Sequence, residues 1–444
     1  MSSALQPTAK PFPSWISRER LKFWGIQSGA SLLDQGLTSG TNFVLNLLLA
    51  RWLAPESYGA FAVAFATLLF VFGYHSVLLL EPMSVLGPAN YASKIATYFR
   101  AQLHVHFLLT AGLSFVLLLI AAVMSMLGIH RELVAATLAS GMAFPLVLFL
   151  WLVRRMCYVA HRPAVAVWAS ASYLVLLLAG LFTMHRVGYV HPATAMLLMA
   201  GASVGAVFIP LSKLGILSNG SVSLSWKQIL RENWTYGRWL VASTTLYAVA
   251  SQTQTYLTAA MLGLGAAGIL RAMQMPSFVM MQVVTALSLL LLPMMAREYG
   301  LGNVDQLRKK AVYSSVALVA LAAGYAVCLE VFAHPIEKLM YADKFSSTVS
   351  LIPILGLVPV CMAFAAGFSM ALRASQKPQF DLLANAVSAP IGLVTAILFI
   401  RLWGITGACI SMVAGFVAYA GVFFWSFVRW TNEGARKAIN VPNG

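Results

Sequence analysis

The sequence predicts an all-α polytopic membrane protein, with about twelve transmembrane helices arranged in two six-helix lobes. Three observations carry that prediction. Of 444 residues, 60% are hydrophobic and only 9% charged, with a mean hydropathy of +0.81, whereas soluble domains carry roughly 25% charged residues. The apolar residues fall in runs of about 20 or more, long enough to cross a hydrocarbon core of about 30 Å as helices. Unpaired backbone groups cannot face lipid, which excludes open sheet. Finally, the chain echoes itself about 210 residues downstream. Leu78-Leu79-Leu80-Glu81-Pro82-Met83 returns as Leu289-Leu290-Leu291-Leu292-Pro293-Met294, and Gly59, six residues after Leu53, is matched by Gly268, six after Leu262. The basic linker ending at Pro163 has a counterpart ending at Pro378. Internal repeats in membrane transporters let two bundles rock about a common site, so the echo points to transport.

The expected crossings of the first lobe are 27–50, 57–80, 101–128, 133–153, 164–184 and 190–211. Those of the second are 237–261, 268–295, 311–333, 346–370, 380–401 and 405–428. This divides the chain into a tail (1–26), a first lobe (27–211), a linker (212–236), a second lobe (237–428) and a closing tail (429–444). Within the linker, Trp226 to Trp234 reads as a short amphipathic helix in the headgroup region, because it mixes Trp with Lys and Arg. An even number of crossings per repeat makes the two copies parallel, related by an axis along the membrane normal.

The net charge of +16 invites a nucleic-acid reading, but its distribution does not support one. With the N-terminus inside, 22 of the 29 Lys and Arg fall in cytoplasmic segments and adjacent turns, six in external turns, and Arg271 within a helix. That asymmetry is the positive-inside rule, and it sets both termini in the cytoplasm. The N-terminal stretch lacks the cleavage pattern of a signal peptide and reads as a retained tail. Cys157, Cys328, Cys361 and Cys409 stand singly, without metal or redox spacing. No phosphate-binding loop, dinucleotide fingerprint or nucleophilic triad occupies any connection, so the reading is a carrier and not an enzyme, with no cofactor and no metal.

Polar side chains at bilayer depth are costly and mark function by default. In the first helix, Asp34, Thr38, Asn42 and Asn46 recur every four residues, which lays them along one slightly wrapped face. That stripe is expected to line a substrate pathway, with Asp34 able to take a proton or a cation; the competing reading is interhelical hydrogen bonding. The seventh helix, its counterpart in the repeat, carries Thr244, Tyr247, Ser251, Gln252, Gln254, Thr255 and Tyr256. Amides and phenols suit sugar hydroxyls, and Gln252, Gln254 and Tyr256 are taken as pathway residues. The eighth holds Arg271, Gln274, Gln282 and Thr285 on one face, opposite the repeat's Ala62, Phe65 and Gly73. Arg271 either snorkels to the headgroups or grips a phosphate through its planar fork. Arg51 is a second candidate for anion contact. Glu81 stands before Pro82 where the repeat has Leu292, a candidate for gating or ion coupling. His75, His104 and His106 are spread over two helices without a neighbouring carboxylate and do not form a metal site.

The run Leu49-Ala50-Arg51-Trp52-Leu53-Ala54-Pro55-Glu56-Ser57-Tyr58-Gly59, at the turn joining the first two helices, resembles the signature of the bacterial polysaccharide-unit flippases. These belong to the multidrug/oligosaccharidyl-lipid/polysaccharide exporter superfamily. Met261 to Gly268, Pro293, and the linkers closed by Pro163 and Pro378 fit the same pattern, so the likeness spans nearly the whole chain in short, degenerate motifs. The resemblance implies a V-shaped, MATE-like pair of bundles working by alternating access in the bacterial inner membrane. It implies as substrate an undecaprenyl-pyrophosphate-linked oligosaccharide repeat unit, destined for exopolysaccharide, capsule or O-antigen. It further implies membrane lipids, a polysaccharide polymerase and chain-length or export machinery as partners, and no nucleic acid. A cationic group such as Arg271 or Arg51 would then offset pyrophosphate charge. The rivals are a cation-coupled drug antiporter of the same superfamily, expected to show a carboxylate cluster in one lobe, and a membrane polymerase or ligase, expected to carry a large external loop.

Overall fold

The computed structural model describes residues 18–216, 224–377 and 379–439, and every regular element among them is helical. Pro378, the N-terminal tail through residue 17, the linker residues 217–223 and the last five residues lie outside the described residues. The first lobe contains α1 (Arg18–Trp52), α2 (Pro55–His75), α3 (Glu81–Asn90), α4 (Ile95–Met126), α5 (Arg131–Val159), α6 (Pro163–Arg186) and α7 (Pro192–Lys213). A π-helical turn, Ser76–Leu80, joins α2 to α3 without a break in the helical path. The second contains α8 (Trp226–Leu262), α9 (Leu264–Gly300), α10 (Val304–Val331), the short α11 (Ala333–Tyr341), α12 (Leu351–Ala374) and α13 (Gln379–Ile439).

All twelve expected crossings fall on these helices. Among the described residues, nine stretches are long and apolar enough to qualify as spans by themselves, and one of them, Gln379–Asn432, covers two crossings. The kink dividing it is at Gly404, whose φ of 57° and ψ of −133° suit glycine alone. Of the long helices, α1 and α8 do not qualify. Each carries a polar load along its length, and the repeat makes them equivalent.

Packing follows the repeat. α1 lies on α6 as α8 lies on the first part of α13, α4 on α5 as α10 on α12, and α2 on α5 as α9 on α12. Between the lobes, α2 packs along α9, α2 along α8, and α1 against α9, while α1 and α8 do not pack along each other among the described residues. Swapping α1 with α8 and α2 with α9 maps that pattern onto itself, as an isologous interface requires. Large apolar side chains left exposed, such as Phe115, Val175 and Val316, suit a lipid-facing perimeter.

One expected element differs. Trp226 to Trp234 is not a separate surface helix but the first turns of α8, which runs unbroken for 37 residues. The reason lies in its partners. Ile229 is buried, the Tyr91 hydroxyl donates its proton to the Glu232 carboxylate, lying 2.9 Å from both oxygens, and the Asn233 and Gln102 amides exchange bonds of 2.9 and 3.2 Å. These contacts fasten the start of α8 to α4 and to the chain just past α3, so protein contacts hold the segment in line with the rest of α8.

Candidate transport site at the lobe interface

At the end of the interface that carries the α1–α2 and α8–α9 turns, the backbones close into a seal. A Cβ on Gly59 would strike the Leu264 carbonyl, and one on Gly268 would strike the Pro55 carbonyl and approach the Gly59 amide nitrogen at 2.9 Å. Both positions therefore need glycine so that the backbones can meet. Lys344, in the turn after α11, donates to the carbonyl of Ala50 at 2.8 Å and to that of Leu53. An ammonium there satisfies C-terminal carbonyls of α1 and complements the negative end of its dipole. The turn bearing Lys344 is itself fixed, since the buried Glu337 carboxylate accepts a 2.7 Å bond from the Phe345 amide, and the Tyr341 hydroxyl donates to the Ala272 carbonyl at 2.6 Å.

Below this seal lies Arg271. Its Nε approaches the Asn46 Oδ1 at 3.4 Å, and its guanidinium sits 5.3 Å from the Phe65 ring centroid and 4.8 Å from that of Phe278. Tyr58 also reaches the Asn46 Oδ1, at 3.4 Å. No ion pair involves Arg271 among the described residues, where the pairs are Arg154–Asp34, Lys310–Glu298 and Arg373–Asp381. Of its two expected roles, snorkelling does not describe this placement: the side chain points at α1 and α2 of the opposite lobe. Cation–π contacts partly replace its hydration but leave the charge uncompensated.

The polar stripe of α1 divides. At about 100° per residue, each four-residue step turns roughly 40°, so Asp34 and Asn46 end up about 120° apart. Asp34, expected to line the pathway, is fully buried inside the first lobe. Its carboxylate accepts from Arg154 Nη2 at 2.6 Å and Nε at 3.2 Å, from the Tyr158 hydroxyl at 2.6 Å and from the Ser170 hydroxyl at 2.5 Å. Thr38 belongs to the same group, donating to the Asp34 carbonyl at 2.9 Å and lying 3.2 Å from Ser170. Asn46 is turned to the interface, while Asn42 is half-buried between, its carbonyl accepting a 2.8 Å bond from the Asn46 amide.

The other expected residues also separate by face. Gln282 donates across the lobes to Ser39 at 2.8 Å, and Tyr256 meets Thr67 of α2 at 3.1 Å. Tyr74 and Thr245 make a further crossing at 2.9 Å. Gln254 is buried against Gly392 of α13 and Gln274 donates to the Met412 sulfur at 3.0 Å, so both point into their own lobe. Gln252 is half-buried and bonds its neighbour Ser251 at 3.2 Å. Arg51 is exposed at the sealed end, and Glu81 is half-buried; neither has a hydrogen bond or ion pair to a described residue.

Sequence reasoning counted Arg154 with a cytoplasmic turn and missed it as the counter-ion of Asp34. The signal was present: a basic residue in the body of an apolar helix needs a carboxylate, and of the first lobe's carboxylates Asp34 alone falls inside an expected crossing. Tyr58, Lys344 and Ser170 carried no such signal.

A family model described as MatE matches residues 240–398, which run from within α8 into α13. An inward-facing multidrug resistance MATE family transporter of the MOP superfamily superposes with a TM-score of 0.74 at 13% identity, over 90% of this chain and 98% of its own. The fold is that of the MATE transporters. An outward-facing structure of that kind gives a TM-score of 0.64 at 14% identity, over 93% and 96% of the two chains. The MATE fold also relates the chain to the lipid II flippase MurJ in an inward closed conformation, at 0.62 and 11% identity over 91% and 87%. No curated protein matches the sequence.

Proposed function

We propose that this chain is an alternating-access flippase that carries an undecaprenyl-pyrophosphate-linked oligosaccharide repeat unit between the leaflets of a bacterial inner membrane. The observation that supports this reading is Arg271: a cation at the lobe interface beneath the sealed end, flanked by Phe65 and Phe278 and without a carboxylate partner among the described residues. An uncompensated guanidinium suits a phosphate group, whose oxygens it engages two at a time. Interface hydroxyls and amides on Tyr256, Gln282 and Asn46 suit sugars. The lipid tail stays in the bilayer while the polar head follows the seam, which spares the head the desolvation of bare passage.

A cationic drug would call for the opposite electrostatics. Asp34, the carboxylate on α1, is already neutralised by Arg154, which weighs against the antiporter reading despite the names of the multidrug relatives. In the proposed orientation the sealed end faces outward and the start of α8 lies on the cytoplasmic side, in keeping with the positive-inside count. Polymerase and export machinery are proposed as neighbours in the same membrane and form no part of the site.

The test is reconstitution into vesicles with a fluorescent polyprenyl-pyrophosphate oligosaccharide, reading its movement between leaflets by quencher protection. The expected result is accelerated flipping that Arg271→Gln abolishes and Arg271→Lys restores in part. Absence of flipping, together with ion-driven efflux of a cationic dye, overturns the reading in favour of the antiporter.

A further inference from the structure

We propose that His75 and His106 form a proton-binding site behind the α2–α8 seam, and that its occupancy is linked to the π-turn that follows His75. Both rings are buried, His75 on the last turn of α2 and His106 on α4. His75 Nε2 lies 3.0 Å from His106 Nδ1, and His106 Nε2 lies 3.1 Å from the Pro145 carbonyl of α5. A carbonyl only accepts, so His106 carries its proton on Nε2 and offers the lone pair of Nδ1 to His75. His75 must then donate through Nε2, which leaves its Nδ1 as a bare acceptor. That nitrogen is buried without a hydrogen-bond partner among the described residues.

Buried acceptors without partners are rare and call for an explanation. Here the explanation is one vacant proton position in an otherwise satisfied chain. When a proton from water binds His75 Nδ1, His75 becomes an imidazolium that still donates through Nε2, and His106 and Pro145 keep their roles. One positive charge is added and no other bond changes. Imidazole is the side chain suited to this exchange near neutral pH.

The surroundings say when it occurs. The charged groups and the further histidine on the elements packed about the pair are Arg100 and His104 of α4, Arg131, Glu132, Arg154 and Arg155 of α5, Glu81 of α3, Lys227, Arg231, Glu232 and Arg238 of α8, and Arg271, Arg297 and Glu298 of α9. Arg154 is taken by Asp34 and Glu232 by Tyr91, while His104 is exposed and lies 2.9 Å from the Arg100 carbonyl. No described carboxylate bonds either ring of the pair, so nothing offsets the added charge while the site is buried. Protonation therefore favours a conformation that hydrates the pair.

The π-turn supplies the link. Residues on either side of His75 touch α8: a Cβ on Gly73 would lie 3.0 Å from the Thr244 methyl, and the Val77 carbonyl, inside the π-turn, packs so closely on Gly237 that a Cβ there would clash. π-Turns inside α-helices recur at functional sites because one extra residue per turn is easily shifted along the helix. Charging His75 and shifting the turn both loosen the same seam. This conformational consequence rests on the alternating-access reading; the proton site itself does not.

The test is solid-state NMR of the full chain, labelled with ¹⁵N-histidine, in lipid bilayers between about pH 8 and pH 5. The coupling between Nε2–H and Nδ1 within one imidazole pair identifies the two rings without a variant, and His75→Gln or His106→Gln supplies a second assignment. The expected result is a bare Nδ1 at high pH that gains a proton on acidification, accompanied by shifts in the Ser76–Leu80 backbone. Rings that stay neutral throughout overturn the proposal. Flipping without titration of the pair removes this inference and leaves the transport reading intact; titration in a protein that flips nothing does the reverse.

Discussion

Gly59 of α2 and Gly268 of α9 occupy the same position in the two halves of the repeat and meet each other at the sealed end. Each also abuts the other's neighbourhood reciprocally, Gly59 on the Leu264 carbonyl and Gly268 on that of Pro55. Equivalent residues touch in this way only where the axis relating the halves passes between them. The sequence echo therefore marks the pivot of the interface.

Gly59→Leu is expected to force the two backbones apart. Overpacking of this kind costs about 1–3 kcal/mol, enough to shift a two-state equilibrium by roughly five- to 150-fold. Spin labels on the exposed Met126 and Leu339 would read the separation of the lobes at that end. An unchanged distance distribution would remove the glycine contact from any gating role.

Asp34→Asn and Arg154→Met are each expected to destabilise the protein by about 3–5 kcal/mol, since either leaves one buried charge without its partner. The double variant is expected to recover much of that loss. Thermal unfolding in detergent checks both. If Asp34→Asn left stability untouched and removed only a dependence on ion gradients, the carboxylate would be a coupling site and not a brace.

Lys344→Met is expected to release carbonyls at the end of α1 and weaken the seal by about 1 kcal/mol, with Lys344→Arg milder. The readout is the reactivity of a cysteine placed at the half-buried Trp52 toward a membrane-impermeant reagent. Faster labelling in Lys344→Met than in the wild-type background is the expected outcome.

Gly404→Ala is expected to cost about 1–3 kcal/mol, because its φ of 57° and ψ of −133° lie where a side chain strains the backbone. A lowered midpoint in the same unfolding experiment, without change at the sealed end, separates this from a gating defect. The residue divides the last two crossings.

The helical architecture was legible because lipid leaves the backbone one solution for long apolar runs, and all twelve runs are helices. Less legible was the face each polar residue takes. Asp34 and Asn46 share a four-residue rhythm, yet its drift sends one into the first lobe and the other to Arg271. Gln254 and Gln282 read alike as lining residues, but one meets Gly392 within its own lobe and the other Ser39 across the interface. Such choices depend on which helices become neighbours, information that periodicity does not carry. The His75–His106 contact was hidden for the same reason, since 31 residues and a helix reversal separate the two rings.

The anchoring of α8 also bears on how the chain is made. Gln102 and Tyr91 belong to the first half, but the groups that complete them, Asn233 and Glu232, are translated only with the seventh crossing. A ribosome that has released just six helices has therefore produced a bundle with an amide still seeking its mate. The first half becomes a finished folding unit when the second has begun, and a chain divided in the linker would have to reassemble before either fragment was complete.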